Sequence, residues 1–112
     1  MAVSRFDALR SLAFGSITGT YATVGSPLTQ NWREFRILNT TDADVTISAD
    51  GTTDNFYLPT KTFLLWDLST NAPPVSTLDD FVMAIGTQFY VKSSGSPSLG
   101  SVYIEGIYAR RS

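Results

Sequence analysis

The chain has 112 residues, eight basic and ten acidic side chains, a formal net charge of -2, and neither cysteine nor histidine. This length fits one domain. The missing residue types exclude disulfides, thiolate chemistry, histidine-dependent triads and the usual zinc ligands. The acidic balance argues against nucleic acid as a partner, because phosphate binding relies on clustered Lys and Arg.

The first residues predict an N-terminal arm, residues 1–10, ahead of a β-sandwich domain over residues 11–112. Arg5, Asp7 and Arg10 interrupt the apolar core that a secretory signal would need. No apolar run approaches the roughly 20 residues of a membrane span, so we expect no membrane partner. Ser4 to Leu12 also fits a short helix, with Phe6, Leu9 and Leu12 at helical spacing.

The rest of the chain predicts an all-β fold. Thirteen Ser and fourteen Thr, together with β-branched and aromatic residues, favour strands over helices. Turn residues recur about every ten positions, which is typical of a sandwich or barrel. We expect a single-domain antiparallel β-sandwich, jelly-roll or immunoglobulin-like, with seven to eight strands.

Individual strands follow from alternation. Phe35, Ile37 and Trp32 are expected on one side of a first strand, and the next runs from Val45 to Ala49. Asp50-Gly51 predicts a hairpin turn, because these residues accept positive φ at little cost. The return strand is expected at Asp54 to Leu58.

The later strands carry apolar residues on both faces. Thr62 to Leu68 is apolar at odd and even positions, which predicts a strand covered on both sides with Trp66 in the core. Strands are also expected at Val82 to Ile85, Gln88 to Lys92 and Ser101 to Arg110. The last has Tyr103 and Ile107 on a face that needs cover, and Ser93 to Ser101 predicts a mobile hairpin loop.

Four aspartates around the hairpin are the first candidate for chemistry. Calcium takes six to eight oxygen ligands, which loops rich in Asp can supply. The spacing does not match a calcium-binding hand, and Asp residues also shape turns through their own hydrogen bonds. We expect turn-formers and neither metal nor cofactor at these positions, which are Asp42, Asp44, Asp50 and Asp54.

Catalytic patterns are weak. Asp79 and Asp80 are adjacent, so on a strand they would point to opposite faces. Glu34 lies between Arg33 and Arg36, where an ion pair is the simpler explanation, and its distance to Glu105 is unknown. A nucleophilic serine would depend on Lys61 or Lys92 as base, and no nucleophile-elbow motif occurs. The sequence therefore predicts that this protein is not an enzyme.

Arginines and surplus aromatics indicate an interface instead. Six of the eight basic residues are arginines, and four of them lie within ten residues of a terminus. Arginine is favoured at interfaces because its planar fork binds carboxylates in two places and stacks on aromatics. Charged termini also serve solubility. The predicted interface residues are Arg5, Phe6, Leu9, Arg10, Arg110 and Arg111.

A series of short motifs follows in order over about residues 11 to 109: Phe14-Gly15-Ser16-Ile17, Asn39-Thr40-Thr41, Asp50-Gly51, Leu58-Pro59, Leu65 to Asn71, Gly86-Thr87 to Lys92, and Gly100 to Tyr103. With these motifs in this order, the chain resembles small virion structural proteins of tailed bacteriophages. The resemblance implies assembly into a particle, as a capsid decoration (cement) protein or a head-tail or tail component. It implies no catalytic residues. Arg110 to Ser112 falls outside the pattern.

We therefore expect a virion subunit that forms homo-oligomers and contacts other virion proteins, such as the major capsid, portal, neck or tail proteins. The alternative is a small β-sandwich binding module that recognises carbohydrate on a host cell surface. Exposed aromatics clustered with Asp and Asn on one loop edge would favour that alternative.

Overall fold

The computed structural model describes residues 2–68 and 82–111, and it confirms an all-β fold of two antiparallel sheets, consistent with a β-sandwich. No α-helix occurs in these residues; a single 3-10 turn spans Phe14–Ser16. They form nine strands: β1 Ala2–Phe6, β2 Arg10–Ala13, β3 Ala22–Thr23, β4 Trp32–Asn39, β5 Val45–Ser48, β6 Phe56–Leu58, β7 Thr62–Asp67, β8 Tyr90–Lys92 and β9 Ser101–Arg111.

Strand β9 organises the larger sheet. It pairs with β4 along one edge, and with both β1 and β2 along the other, while β7 adds to the far side of β4. The second sheet has the order β3-β8-β5-β6. Chain segments far apart in sequence thus lie side by side, and the core lies between the two sheets.

Alternation along the strands explains which residues are buried. Phe35 and Ile37 face inward, as predicted, and Trp32 joins them although it lies three positions before Phe35. A register shift between Trp32 and Glu34 makes this possible, because a β-bulge adds one residue and resets the alternation. Val45 and Ile47 close the core from the other sheet.

Trp32 is the centre of this core. Its ring stacks with Phe89 at a centroid distance of 6.3 Å and lies against the backbone of Gly106 on β9. Its Nε1 donates a hydrogen bond of 2.7 Å to Asp7 Oδ2. The Arg10 guanidinium carbon lies over the Trp32 ring, 5.1 Å from its centroid.

Arg10 ties the N-terminal segment to this tryptophan. Its side chain is 7% exposed and lies 3.5 Å from the Asp7 carboxylate, measured from Nη1 to Oδ2. Its Nε donates to the Ser26 carbonyl at 2.9 Å, and Nη2 donates to the Pro27 carbonyl at 3.3 Å. A buried cation is tolerated when it is paired and hydrogen-bonded in this way.

The expectation that the first ten residues contain no strand is wrong, and so is the alternative of a helix. Ala2–Phe6 pairs with Ile107 to Arg111 of β9, and Arg10–Ala13 pairs with Ser101 to Ile104. The local pattern was ambiguous because the partner strand lies about a hundred residues away. Hydrogen bonding to β9 and burial of Arg10 decide the conformation.

Three other expectations need correction. The strand at Thr62 to Leu68 is not covered on both sides, since Phe63 and Leu65 are more than half exposed. Trp66 faces inward and stacks on Phe35 at 6.2 Å, yet it remains 41% exposed, because β7 is an edge strand of the sheet that the described residues form. Val82 to Ile85 forms only a bridge, Met83 to Trp32, instead of a strand. Ser93 to Ser101 is no hairpin loop, since β8 and β9 belong to different sheets.

Asp7→Ala should destabilise the fold by about 3 kcal/mol. The substitution leaves the Trp32 N–H and the buried Arg10 charge without their shared acceptor, and orphaned buried polar groups are costly. Urea unfolding followed by tryptophan fluorescence measures the change. Arg5→Ala, at an exposed position of β1, is the control and should change stability by less than about 0.5 kcal/mol. Equal effects of the two variants would contradict the role given to Asp7.

Gly106→Ala should cost about 3 kcal/mol or more, because a Cβ there would lie 2.2 Å from Trp32 Cδ2. The ring is held between two sheets and cannot retreat. Gly15→Ala is the matched control, since a Cβ at that position meets nothing within 4 Å. If both alanine variants melt at the wild-type temperature, Trp32 does not pack on Gly106.

Candidate functional site

The outer face of the five-stranded sheet exposes several large apolar side chains. Phe6 is 87% exposed, Leu65 56% and Phe63 53%, and half-buried Ile107 lies beside Phe6 across the β1–β9 pair. Monomeric soluble proteins rarely expose large contiguous apolar patches without a partner for them. These four side chains line a shallow groove of about 430 Å³. We call this surface the outer groove.

Charged residues occupy the middle of the outer groove. Arg36 on β4 lies directly opposite Glu105 on β9, and the two side chains form an ion pair, each a little over 40% exposed. The Arg36 guanidinium carbon also lies 5.4 Å from the centroid of the Phe63 ring. Glu34 lines the groove next to them. The outer groove therefore combines apolar ends with one basic and two acidic side chains at its centre.

The sequence produces this surface because two strands carry apolar residues on both faces. On β7, Leu64 and Trp66 face the core, so Phe63 and Leu65 must face outward. On β9, Val102 and Ile104 are buried, which places Tyr103 and Ile107 on the outer side. The sequence indicated that both strands need cover on their second face. It missed Phe63, Leu65, Arg36 and Glu105 as one site, since the register between strands is not encoded locally.

The structure places the residues predicted as an interface in different environments. Phe6 lies in the outer groove, and Leu9 is 59% exposed in the connection to β2, which pairs with β9. Arg5 is exposed on β1. Arg10 is buried, so it does not belong to the candidate interface. The backbones of Arg110 and Arg111 pair with β1, and their side chains lie outside the described part of the structure.

The outer face of the four-stranded sheet has a different character. Tyr21 and Tyr57 donate hydrogen bonds to the carboxylates of Asp54 and Asp44. Lys92 Nζ lies 3.0 Å from Asp54 Oδ1 and 4.5 Å from the Tyr21 ring centroid. Polar groups on this face are thus already bonded within the chain. Tyr57, 58% exposed, offers an open ring.

Asp50 shapes its own loop, as predicted, whereas the other three aspartates bond to residues distant in the sequence. Asp50 Oδ1 accepts hydrogen bonds from the backbone N–H groups of Thr52 and Thr53, at 2.9 and 2.7 Å, and Gly51 has a φ of 81°. Asp42 accepts from the backbone N–H and the hydroxyl of Ser98. Across residues 2–68 and 82–111, no three acidic side chains converge in a group that could hold a metal ion.

The residues considered as catalytic candidates lie next to other polar groups of the chain. Glu34 and Glu105 reach the same face, where Arg36 pairs with Glu105 rather than with its chain neighbour Glu34. Lys61 Nζ donates to the Thr40 carbonyl at 3.1 Å, and Lys92 pairs with Asp54, so these amines bond to groups other than a serine hydroxyl. Asp79 and Asp80 lie outside the described residues.

Comparisons with known proteins add no relative. No protein-family model matches the chain, and no curated protein or solved structure matches it either. Within the described ranges, no helix is long and apolar enough to cross a membrane.

Stability should be highest between the carboxyl and phenol titrations and fall at both extremes. Hydrogen bonds from Thr53 and Thr52 lower the pKa of Asp50, and bonds from Ser98, Tyr57 and Tyr21 lower those of Asp42, Asp44 and Asp54. Since these folded-state values are depressed, their contribution is present well above the ordinary pKa of 3.8 and is lost as the pH falls below it.

Burial and the bond to Asp54 raise the pKa of Tyr21 to about 12. This contribution is complete below the ordinary phenol pKa of 10.0 and is lost as the pH rises toward the folded value. Urea unfolding across a pH series measures both slopes. Asp50→Asn keeps an acceptor oxygen but cannot titrate, so it should flatten the acid slope. An unchanged slope would assign the acid loss to other groups.

Proposed function

We propose that this protein is a structural subunit of a tailed-phage virion, which acts by adhesion as a capsid decoration or cement protein, or as a head-tail or tail accessory protein. The observation that carries the proposal is the outer groove, whose Phe6, Phe63 and Leu65 are more than half exposed. The resemblance of the motif series to small virion proteins suggests that the assembly is a phage particle. Burying these side chains in a subunit contact removes apolar surface from water, which favours association by about 25 cal/mol per Å².

The chemistry of the rest of the chain supports a binding role. The chain has no histidine or cysteine, and the groove's central arginine is engaged with a carboxylate. An ion pair surrounded by apolar side chains can orient a partner protein, because a partner bound in the wrong position would place a charge against an apolar group. In this proposal the apolar ends of the outer groove provide the affinity for the partner, and its charged centre fixes the position of the partner.

Particle incorporation tests this function. Quantitative mass spectrometry of purified virions should find the chain at a fixed copy number, in the hundreds for capsid decoration or roughly six to a few dozen for a neck or tail position. The double variant Phe63→Ser and Leu65→Ser should remain folded, since both side chains face outward, yet its occupancy should fall by about tenfold or more.

Tyr57→Ser is the matched control, because Tyr57 is an equally exposed aromatic residue on the opposite sheet. It should keep normal occupancy. Absence of the chain from purified particles would overturn the proposal. Loss of occupancy with Tyr57→Ser alone would move the contact to the four-stranded sheet.

A carbohydrate-binding module is the second candidate, and the face with Tyr57 favours it. An exposed ring beside the Asp44 carboxylate combines a stacking surface with a hydrogen-bond acceptor, which suits a sugar. Tyr21 on the same face is covered by Lys92 and Tyr90 is half-buried, which leaves the more exposed Tyr57 ring to stack. Binding of the isolated chain to a glycan array, abolished by Tyr57→Ser, would support this function.

A further inference from the structure

We propose that the outer groove binds a second copy of this chain, face to face, about a two-fold axis that runs between β4 and β9 and parallel to them. The inference rests on the proposed function, since it names the partner of the same surface. A two-fold contact brings one patch against itself, so the patch must be complementary to its own image.

The charges of the outer groove meet this condition. Arg36 and Glu105 lie directly opposite each other on β4 and β9, one on each side of the proposed axis. A half-turn about that axis places Arg36 over Glu105 of the second copy, and Glu105 over its Arg36. Each ion pair within a chain then joins a group of four alternating charges, and no like charges face each other.

Some apolar neighbours follow the same symmetry, whereas Phe6 falls on Asp67 of the second copy and Phe63 on its Ser11. Leu38 and Tyr103 are also paired across β4 and β9, so the half-turn places Leu38 on Tyr103 of the second copy. Leu65 on β7 falls at the opposite edge, beside the connection that carries exposed Leu9. Leu9 immediately precedes Arg10, whose partner on β9 is Ile104, and it is 59% exposed.

The size of the face sets the strength of the contact. Four strands about 4.8 Å apart and three outward positions per strand give a patch of roughly 20 by 20 Å, or about 400 Å² in projection. Two such faces bury somewhat more than about 800 Å² in total, below the standard interface of about 1,600 Å². Glu34 falls on Ile107 of the second copy, which weakens the contact further. We therefore expect a dissociation constant of micromolar or weaker, which crowding of copies on a particle would overcome.

Charge reversal tests the pairing. Sedimentation equilibrium over about 10 to 1,000 μM should show a concentration-dependent dimer of the wild-type chain. Arg36→Glu alone sets a glutamate against Glu105 of the other copy, and Glu105→Arg alone sets an arginine against Arg36. Each single variant should weaken dimerisation by about tenfold or more while its melting temperature stays close to wild type, because the pair is partly exposed.

Mixing the two single variants is the decisive step. The glutamate introduced by Arg36→Glu in one chain then meets the arginine introduced by Glu105→Arg in the other. The unchanged Glu105 of the first chain meets the unchanged Arg36 of the second, so a heterodimer should form although neither variant dimerises well alone. The double variant Arg36→Glu with Glu105→Arg should dimerise again.

Three results would overturn the inference. The first is a wild-type chain that stays monomeric at 1,000 μM (about the upper limit of the assay). The second is a pair of single variants that dimerise like wild type, and the third is a mixture of them that stays monomeric.

These outcomes are separate from those of the particle experiment. If virions contain the chain and the groove variant lowers its occupancy while the mixture stays monomeric, the proposed function stands and the groove binds a different virion protein. If virions lack the chain while the mixture dimerises, the two-fold contact stands and the virion role falls.

Discussion

The stacking of Trp32 on Gly106 is the contact on which the rest of this structure depends. It requires a β-bulge in β4 to turn the indole inward, a residue without a side chain at the middle of β9, and an acceptor for the indole N–H. Asp7 supplies that acceptor and also pairs with Arg10, which covers the ring. The outer groove inherits its geometry from this arrangement, because the same strands carry Arg36 and Glu105 on their other side.

The two outer faces of the sandwich have opposite chemistry. On the four-stranded sheet, tyrosine hydroxyls, a lysine and the loop aspartates bond to one another, so that face has satisfied its polar groups within the chain. On the five-stranded sheet, phenylalanine and leucine stand in solvent around one ion pair. Burying apolar side chains removes them from water at a gain in free energy, so a contact on the second face would gain more than one on the first.

The sequence predicted what depends on local pattern. The alternation of Val45 and Ile47 and the Asp50-Gly51 turn agree with the structure. What depends on distant partners could not be predicted in this way. Arg10 looks like a surface residue until Trp32, Ser26 and Pro27 surround it, and the N-terminal segment has no visible reason to be a strand without β9. The outer groove could not be predicted for the same reason, since its residues come from four strands.

The pairing of β1 with the end of β9 has a consequence for how the chain acquires its fold. Ala2 lies opposite Arg111, so the five-stranded sheet cannot form in full until residues 101–111 have left the ribosome. Before that moment β4 has only β7 beside it, and the apolar inner side of the sheet lacks its central strand. Topologies dominated by distant pairings fold slowly and expose strand edges while they wait. A nascent chain of this protein should therefore be a substrate for chaperones that bind apolar strands, until synthesis of β9 is complete.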